Sequence, residues 1–162
     1  AIINSGCRYD IVRTAWLYGQ HGPNFVATMI RLMNERDSLK VVDDQIGSPT
    51  WAFDLAGFLV FLAGESERES GIFHFSNEGR ISWYDFARAI LDEGLARGVV
   101  NRDVAITPCG SDEYPTRARR PAFSLLSKQK IKDQFNRTIP GWRDSLRRYM
   151  DIIGEDNEQN IQ

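Results

Sequence analysis

The sequence predicts an α/β fold, because short runs of β-branched and aromatic residues alternate along it with segments of helical periodicity. Two further observations sharpen that expectation. The first apolar run, Tyr9 to Tyr18, shows little polar alternation, as a parallel strand covered on both faces does. It ends in the Gly/Pro-punctuated segment Gly19 to Pro23, and open parallel sheets bind their ligands in the loops at the C-terminal ends of their strands.

After that loop, Phe25, Met29, Leu32 and Met33 recur at helical spacing and predict an amphipathic helix over Asn24 to Asn34. Leu39 to Val42 reads as a second strand, ending at the acidic pair Asp43-Asp44. Gly47, Ser48 and Pro49 predict a turn, with Thr50 placed to cap a helix running to about Ala63. Glu65 to Ser70 is a charged loop, and Gly71 to Phe75 is a third strand that stops at Asn77-Glu78-Gly79. Ser82 with Asp85 three residues on matches a capping box. Phe86, Ala87, Ile90, Leu91 and Leu95 give the helix that follows one apolar face, until Gly98 closes it.

Val104 to Ile106 is a fourth short strand, and Pro108 to Ser127 is a long irregular segment of the kind that usually carries function. Short helices over Lys128 to Phe135 and Trp142 to Ile153 complete the fold, and Gly154 to Gln162 reads as a flexible polar tail.

The 162 residues, 42% hydrophobic and 26% charged, suffice for a single compact unit with its own core. Twenty basic and 22 acidic side chains leave a net charge of -2, which gives no positive field to hold nucleic acid or an anionic membrane. Two cysteines and two histidines make neither a disulfide framework nor a zinc-ligand spacing, so no metal is expected and a reducing, cytoplasmic setting is. The apolar run from Phe53 to Ala63 is far shorter than the ~20 residues of a membrane span, and Asp54 interrupts it.

Three segments concentrate chemistry. Arg13-Thr14-Ala15-Trp16-Leu17-Tyr18-Gly19 sits at the end of the first strand, where Trp16 and Tyr18 are either core aromatics or ligand contacts. Just beyond it, Asn24 opens a helix whose first amides are suited to an anionic oxygen, although an ordinary helix start explains the same residues. Asp43-Asp44-Gln45-Ile46-Gly47-Ser48-Pro49-Thr50 brings polar groups to a strand end. Its adjacent aspartates point to opposite faces and make no catalytic pair. Glu113 to Pro121 gathers Arg117, Arg119 and Arg120, whose planar guanidinium groups suit diphosphate oxygens. Arg120 is favoured because Pro121 stiffens the loop beside it. Ser82-Trp83-Tyr84-Asp85-Phe86 reads as scaffold, with Ser82 and Asp85 capping while Trp83 and Phe86 pack.

Read together and in this order, these motifs resemble the C-terminal half of the dTDP-4-dehydrorhamnose reductase family, extended short-chain dehydrogenase/reductases, over about Tyr9 to Ile153. The resemblance implies the end of a Rossmann-like parallel sheet over residues 1–23. It implies a smaller sugar-nucleotide-binding domain with returning Rossmann elements over 24–153, and a tail over 154–162. It implies a dTDP-sugar as ligand, with Trp16 against the deoxysugar, Gln45 and Thr50 beside it, Asn24 near nucleotide oxygens and Arg120 on the diphosphate. NADPH or NADH would be the cofactor of the full-length enzyme.

None of the five tyrosines has a lysine four residues later, and no Gly-x-x-Gly-x-x-Gly is present. The catalytic Tyr-x-x-x-Lys pair and the dinucleotide loop of such reductases are therefore absent from this sequence. The expectation is a fragment of a larger reductase that binds the sugar nucleotide but does not itself catalyse reduction. Its first strand would have lost neighbours, favouring a homodimer or pairing through an exposed strand edge. Two other readings stay open: a non-catalytic regulatory or binding subunit, and another sugar-nucleotide enzyme such as an epimerase.

Overall fold

The computed structural model describes residues 1–65, 70–113 and 120–159. Its strands are β1 (Asp10–Arg13), β2 (Leu17–Tyr18), β3 (Ser38–Val42), β4 (Ile46–Gly47), β5 (Thr50–Trp51), β6 (Gly71–His74), β7 (Ile81–Ser82) and β8 (Ala105–Cys109). Its helices are α1 (Phe25–Glu35), α2 (Ala52–Gly64), α3 (Trp83–Ala96), α4 (Gln129–Phe135) and α5 (Trp142–Gln159). The pairs β1–β6, β2–β5 and β3–β8 are parallel, and β4–β7 is antiparallel.

The predicted strand Tyr9 to Tyr18 is two strands. Trp16 adopts a left-handed backbone with φ 51, which ends one ladder and starts another, so β1 pairs with β6 and β2 with β5. β1 is not covered on both faces either: Asp10 and Arg13 are exposed and only Ile11 and Val12 are half-buried. Both strands are ordered through a partner within the chain, with no second strand on their other side among the described residues.

Two clusters form the core. In the larger, the apolar faces of α1, α3 and α5 close over β3, with Val26, Met33, Phe86, Ile90, Leu146 and Met150 almost wholly buried. The smaller gathers Phe58, Leu62, Phe73, Phe75, Ile131 and Ile139 around β6, α2 and α4. α1 starts where Asn24 Oδ1 accepts the Ala27 N–H at 3.0 Å, and α3 where Ser82 Oγ accepts the Asp85 N–H at 3.0 Å. α5 runs to Gln159, so the predicted flexible tail begins inside a helix.

Asn77, fully buried just after β6, ties the two clusters together. Its Oδ1 accepts the Trp51 N–H at 2.8 Å, and its Nδ2 donates to Asp54 Oδ2 at 2.7 Å and Ser145 Oγ at 2.9 Å. Its backbone N–H donates to the Pro49 carbonyl at 3.2 Å, and its own carbonyl accepts from Ser48 Oγ at 2.5 Å. The α2 start thus has no side-chain cap from Thr50; Trp51 stands at the N-cap position, and Asn77 anchors it through the Trp51 N–H. Two residues on, Gly79 at φ 113 lies so close to the Trp142 ring that no Cβ fits.

α2 is apolar on every side, and Phe53, Leu59 and Val60 remain exposed at 61%, 44% and 74%. No described helix is long and apolar enough to cross a membrane. Cys109 is buried, Cys7 is exposed, and both are free thiols.

Asn77→Ala should lower unfolding stability by roughly 2–4 kcal/mol, because it leaves the buried Trp51 N–H without an acceptor and removes a donor from both Asp54 and Ser145. A urea midpoint checks this, and a loss below ~1 kcal/mol would show that the network contributes little.

A second prediction concerns acid. Burial pushes the Glu93 carboxyl up, but hydrogen bonds from Arg97 and Arg147 outweigh it and hold it below its ordinary 4.5. At Glu78, burial is likewise outweighed by Lys132 and Lys128. The unfolded chain then binds more protons than the folded one just below pH 4.5. The stability these groups contribute is present above that pH and lost as it falls through their folded values. Urea midpoints across this window should decline on acidification, less steeply in Glu93→Gln.

Candidate functional site

Two cavities meet beside α3. The smaller, about 350 Å³, is lined by Ala15, Trp16, Gln45, Trp83, Arg120, Pro121 and Ser124. The larger, about 440 Å³, lies between α1 and β3, with Phe25, Met29, Leu32, Leu39 and Val41 as its apolar walls and Arg36 and Lys40 on its border. Gln45, Trp83 and Arg120 line both. Through these shared residues they adjoin as one two-part cleft with apolar walls and a guanidinium where the parts meet, a lining suited to a ligand with two uncharged ends and an anionic middle.

The local fold explains how each wall is placed. The Thr50 N–H donates to the Trp16 carbonyl at 3.0 Å, and Thr50 Oγ1 donates to the Ala15 carbonyl at 2.7 Å. These bonds hold the backbone turn that aims the indole into the smaller cavity. Gly47 is required there, since a Cβ at that position would come within 2.6 Å of the Trp16 ring. The opposite constraint comes from Trp83, stacked on Trp16 with centroids 3.6 Å apart and planes 12° from parallel. Trp83 is the first residue of α3 and follows β7, which pairs with β4, the strand that contains Gly47.

Of the expected site residues, Trp16, Gln45 and Arg120 come together in the cleft. Arg120 is exposed and, among the described residues, makes no hydrogen bond or ion pair. Arg117 and Arg119 lie outside the described residues.

Thr50 and Asn24 do not line the cleft. Thr50 is fully buried behind Trp16. Asn24 turns its carbonyl oxygen to the Ala27 N–H and its amide to the carbonyls of Gly19 and Gly22, because the α1 start and the loop before it both need partners. Trp83, read from sequence as scaffold, lines both cavities, and Ser111 is a further missed contributor. Gln45 Nε2 donates to Ser111 Oγ at 2.8 Å, and Ser111 Oγ donates to Asp44 Oδ1 at 2.6 Å. Those Ser111 hydrogen bonds hold the Asp44 carboxyl below the usual carboxylate range. Only the opposed directions of the two aspartates signalled this in sequence, for Asp43 uses its N–H on the Cys109 carbonyl instead.

Among the described residues no group of three or more histidine, cysteine or acidic side chains is arranged for a metal ion. A dinucleotide does not fit them either. β2 reaches α1 through Gly19 and Gly22 without a Gly-x-x-Gly-x-x-Gly pattern, and the starts of α1 and α3 are already capped by Asn24 and Ser82.

Most of the chain is similar to known proteins. Residues 1–154 match the model of the RmlD substrate binding domain. A dTDP-4-dehydrorhamnose reductase from Aggregatibacter actinomycetemcomitans is 43% identical over 142 residues, covering 85% of this chain and 48% of that protein. The crystal structure of a dTDP-4-dehydrorhamnose reductase from Clostridium acetobutylicum superposes with TM-score 0.81 at 41% identity, covering 90% of this chain and 49% of the other. The dTDP-4-dehydrorhamnose reductase of Bacillus anthracis, solved in complex with NADP, gives TM-score 0.79 at 39% identity, covering 87% and 47%. A UDP-glucuronic acid 4-epimerase from Bacillus cereus, at 16% identity and TM-score 0.69, shares the fold alone. The chain spans about half the length of the curated relatives it matches. A matching family model over nearly all of its residues, on an α/β fold with parallel strand pairings, places the chain in the RmlD substrate binding domain family.

Proposed function

We propose that this chain is the sugar-nucleotide-binding half of a cytoplasmic reductase that converts the C4 keto group of dTDP-4-dehydro-L-rhamnose to the alcohol of dTDP-L-rhamnose. NADPH would supply the hydride from the part of such enzymes that the match does not cover. The observation that carries this reading is the two-part cleft with Arg120 lining both parts. The apolar cavity against α1 takes the nucleoside, Arg120 takes the diphosphate, and the cavity at Trp16 takes the deoxysugar.

The work of these residues is binding and orientation. An aromatic wall covers the apolar C–H side of a pyranose while Gln45 and Ser124 face its hydroxyls. The reductase reading is favoured over an epimerase or a regulatory subunit by relatives named as reductases at around 40% identity, against an epimerase at 16%.

Isothermal titration of the chain tests the reading. dTDP-L-rhamnose should bind and NADPH should give no heat, because the dinucleotide loop is missing from the sequence. Arg120→Ala should weaken dTDP-L-rhamnose by roughly 1.5–3 kcal/mol, as for hydrogen bonds to charged groups. Tight NADPH binding, or an Arg120→Ala variant with unchanged affinity, would overturn the assignment.

Gly47→Ala gives a separate check on the sugar side. It should displace the Trp16 ring and weaken dTDP-L-rhamnose more than dTDP. Equal losses for both ligands would move the sugar away from Trp16.

A further inference from the structure

Trp83 stands between the two cavities. On one side its ring is stacked on Trp16, and on the other it packs against Phe25 with centroids 4.5 Å apart and planes at 50°. Trp16 belongs to the smaller cavity, Phe25 to the larger, and Trp83 to both. An aromatic row thus runs from one end of the cleft to the other, with Trp83 as its middle member.

The row has little freedom. Trp16 has Gly47 against its ring and its backbone fixed by Thr50. Trp83 is set by the Ser82 cap and by the β4–β7 pairing, which brings Gly47 opposite Ile81. If packing were its only role, Trp83 would be buried like Phe86, which is 1% exposed and lines neither cavity. Trp83 is only half-buried, and like Arg120 it lines both cavities.

One face of Trp16 is already covered by the Trp83 indole. A sugar in the smaller cavity therefore meets a two-ring wall and not a lone tryptophan.

We propose that Trp83 is a ligand-contacting, specificity-determining residue: it partitions the cleft, and with Trp16 it forms the wall that a nucleoside diphosphate sugar lies against. This rests on the sugar-nucleotide reading above. It adds that the partition acts on both ends of the ligand, since Trp83 faces both cavities. Loss of the ring should merge them and weaken the nucleotide alone as well as the nucleotide sugar.

The test titrates the chain with dTDP and with dTDP-L-rhamnose, comparing Trp83→Leu, Trp83→Phe and Phe86→Leu, with thermal unfolding recorded for each. Trp83→Leu should weaken dTDP-L-rhamnose by at least about tenfold and dTDP by about threefold or more, on the scale of losing one aromatic stacking contact. Trp83→Phe should recover part of both losses. Phe86→Leu, which removes a ring from the same core, should lower the melting temperature and leave both affinities in place.

Folded Trp83 variants that bind both ligands within about twofold of the unsubstituted chain would reduce Trp83 to packing. Where the Leu variant does not fold, the Phe variant decides by the same criterion. Affinity losses in Phe86→Leu equal to those in Trp83→Leu would also overturn the proposal, since stability alone would then explain them. No binding of either ligand by the unsubstituted chain would overturn the sugar-nucleotide reading and this proposal together.

Discussion

The arrangement of this molecule depends on one buried amide. Asn77 offers a carbonyl oxygen to the start of α2 and an amide to Asp54 and Ser145, in an interior where an unmatched polar group costs several times the net gain of a matched one. Each partner lies on a different element: β5 and α2 on one side, α5 on the other. Lys128, before α4, reaches the Asn77 carbonyl at 3.4 Å, so the second cluster is tied to the same point. Burial pulls the Lys128 ammonium below its ordinary range against the charge of Glu78, which shows how far this junction is removed from water.

From that junction the geometry passes to the cleft. Asn77 fixes the Pro49 carbonyl and the Trp51 N–H, and between them sits Thr50, whose hydroxyl and amide hold Ala15 and Trp16. A residue that touches no cavity thereby sets the direction of one that does. The strain of a bulky side chain at φ 51 is held in place by these surroundings. A wall preset in this way avoids the cost of ordering side chains when a ligand arrives.

The legible parts of the sequence were those governed by neighbours. The limits of α1 and the cap of α3 followed from periodicity and from a serine three residues before an aspartate. Trp16, Gln45 and Arg120 were legible as polar or aromatic residues beside loop signals. The rest depends on partners far away along the chain. The break between β1 and β2 arises because β2 finds β5 while β1 finds β6. Thr50 looks like a cap because nothing local announces that its hydroxyl will donate to Ala15, 35 positions earlier. Trp83 looks like scaffold because nothing local announces that Trp16 will stack on it.

α2 carries a consequence of a different kind. Along its open side lie Phe53, Ala56, Gly57, Val60 and Ala63, apolar or small and without a charge among them. Water wets such a strip poorly, and its small residues let another surface approach the helix backbone closely. Solutions of this chain should then behave non-ideally as concentration rises. Its apparent melting temperature becomes a property of how much protein is in the tube as well as of the fold.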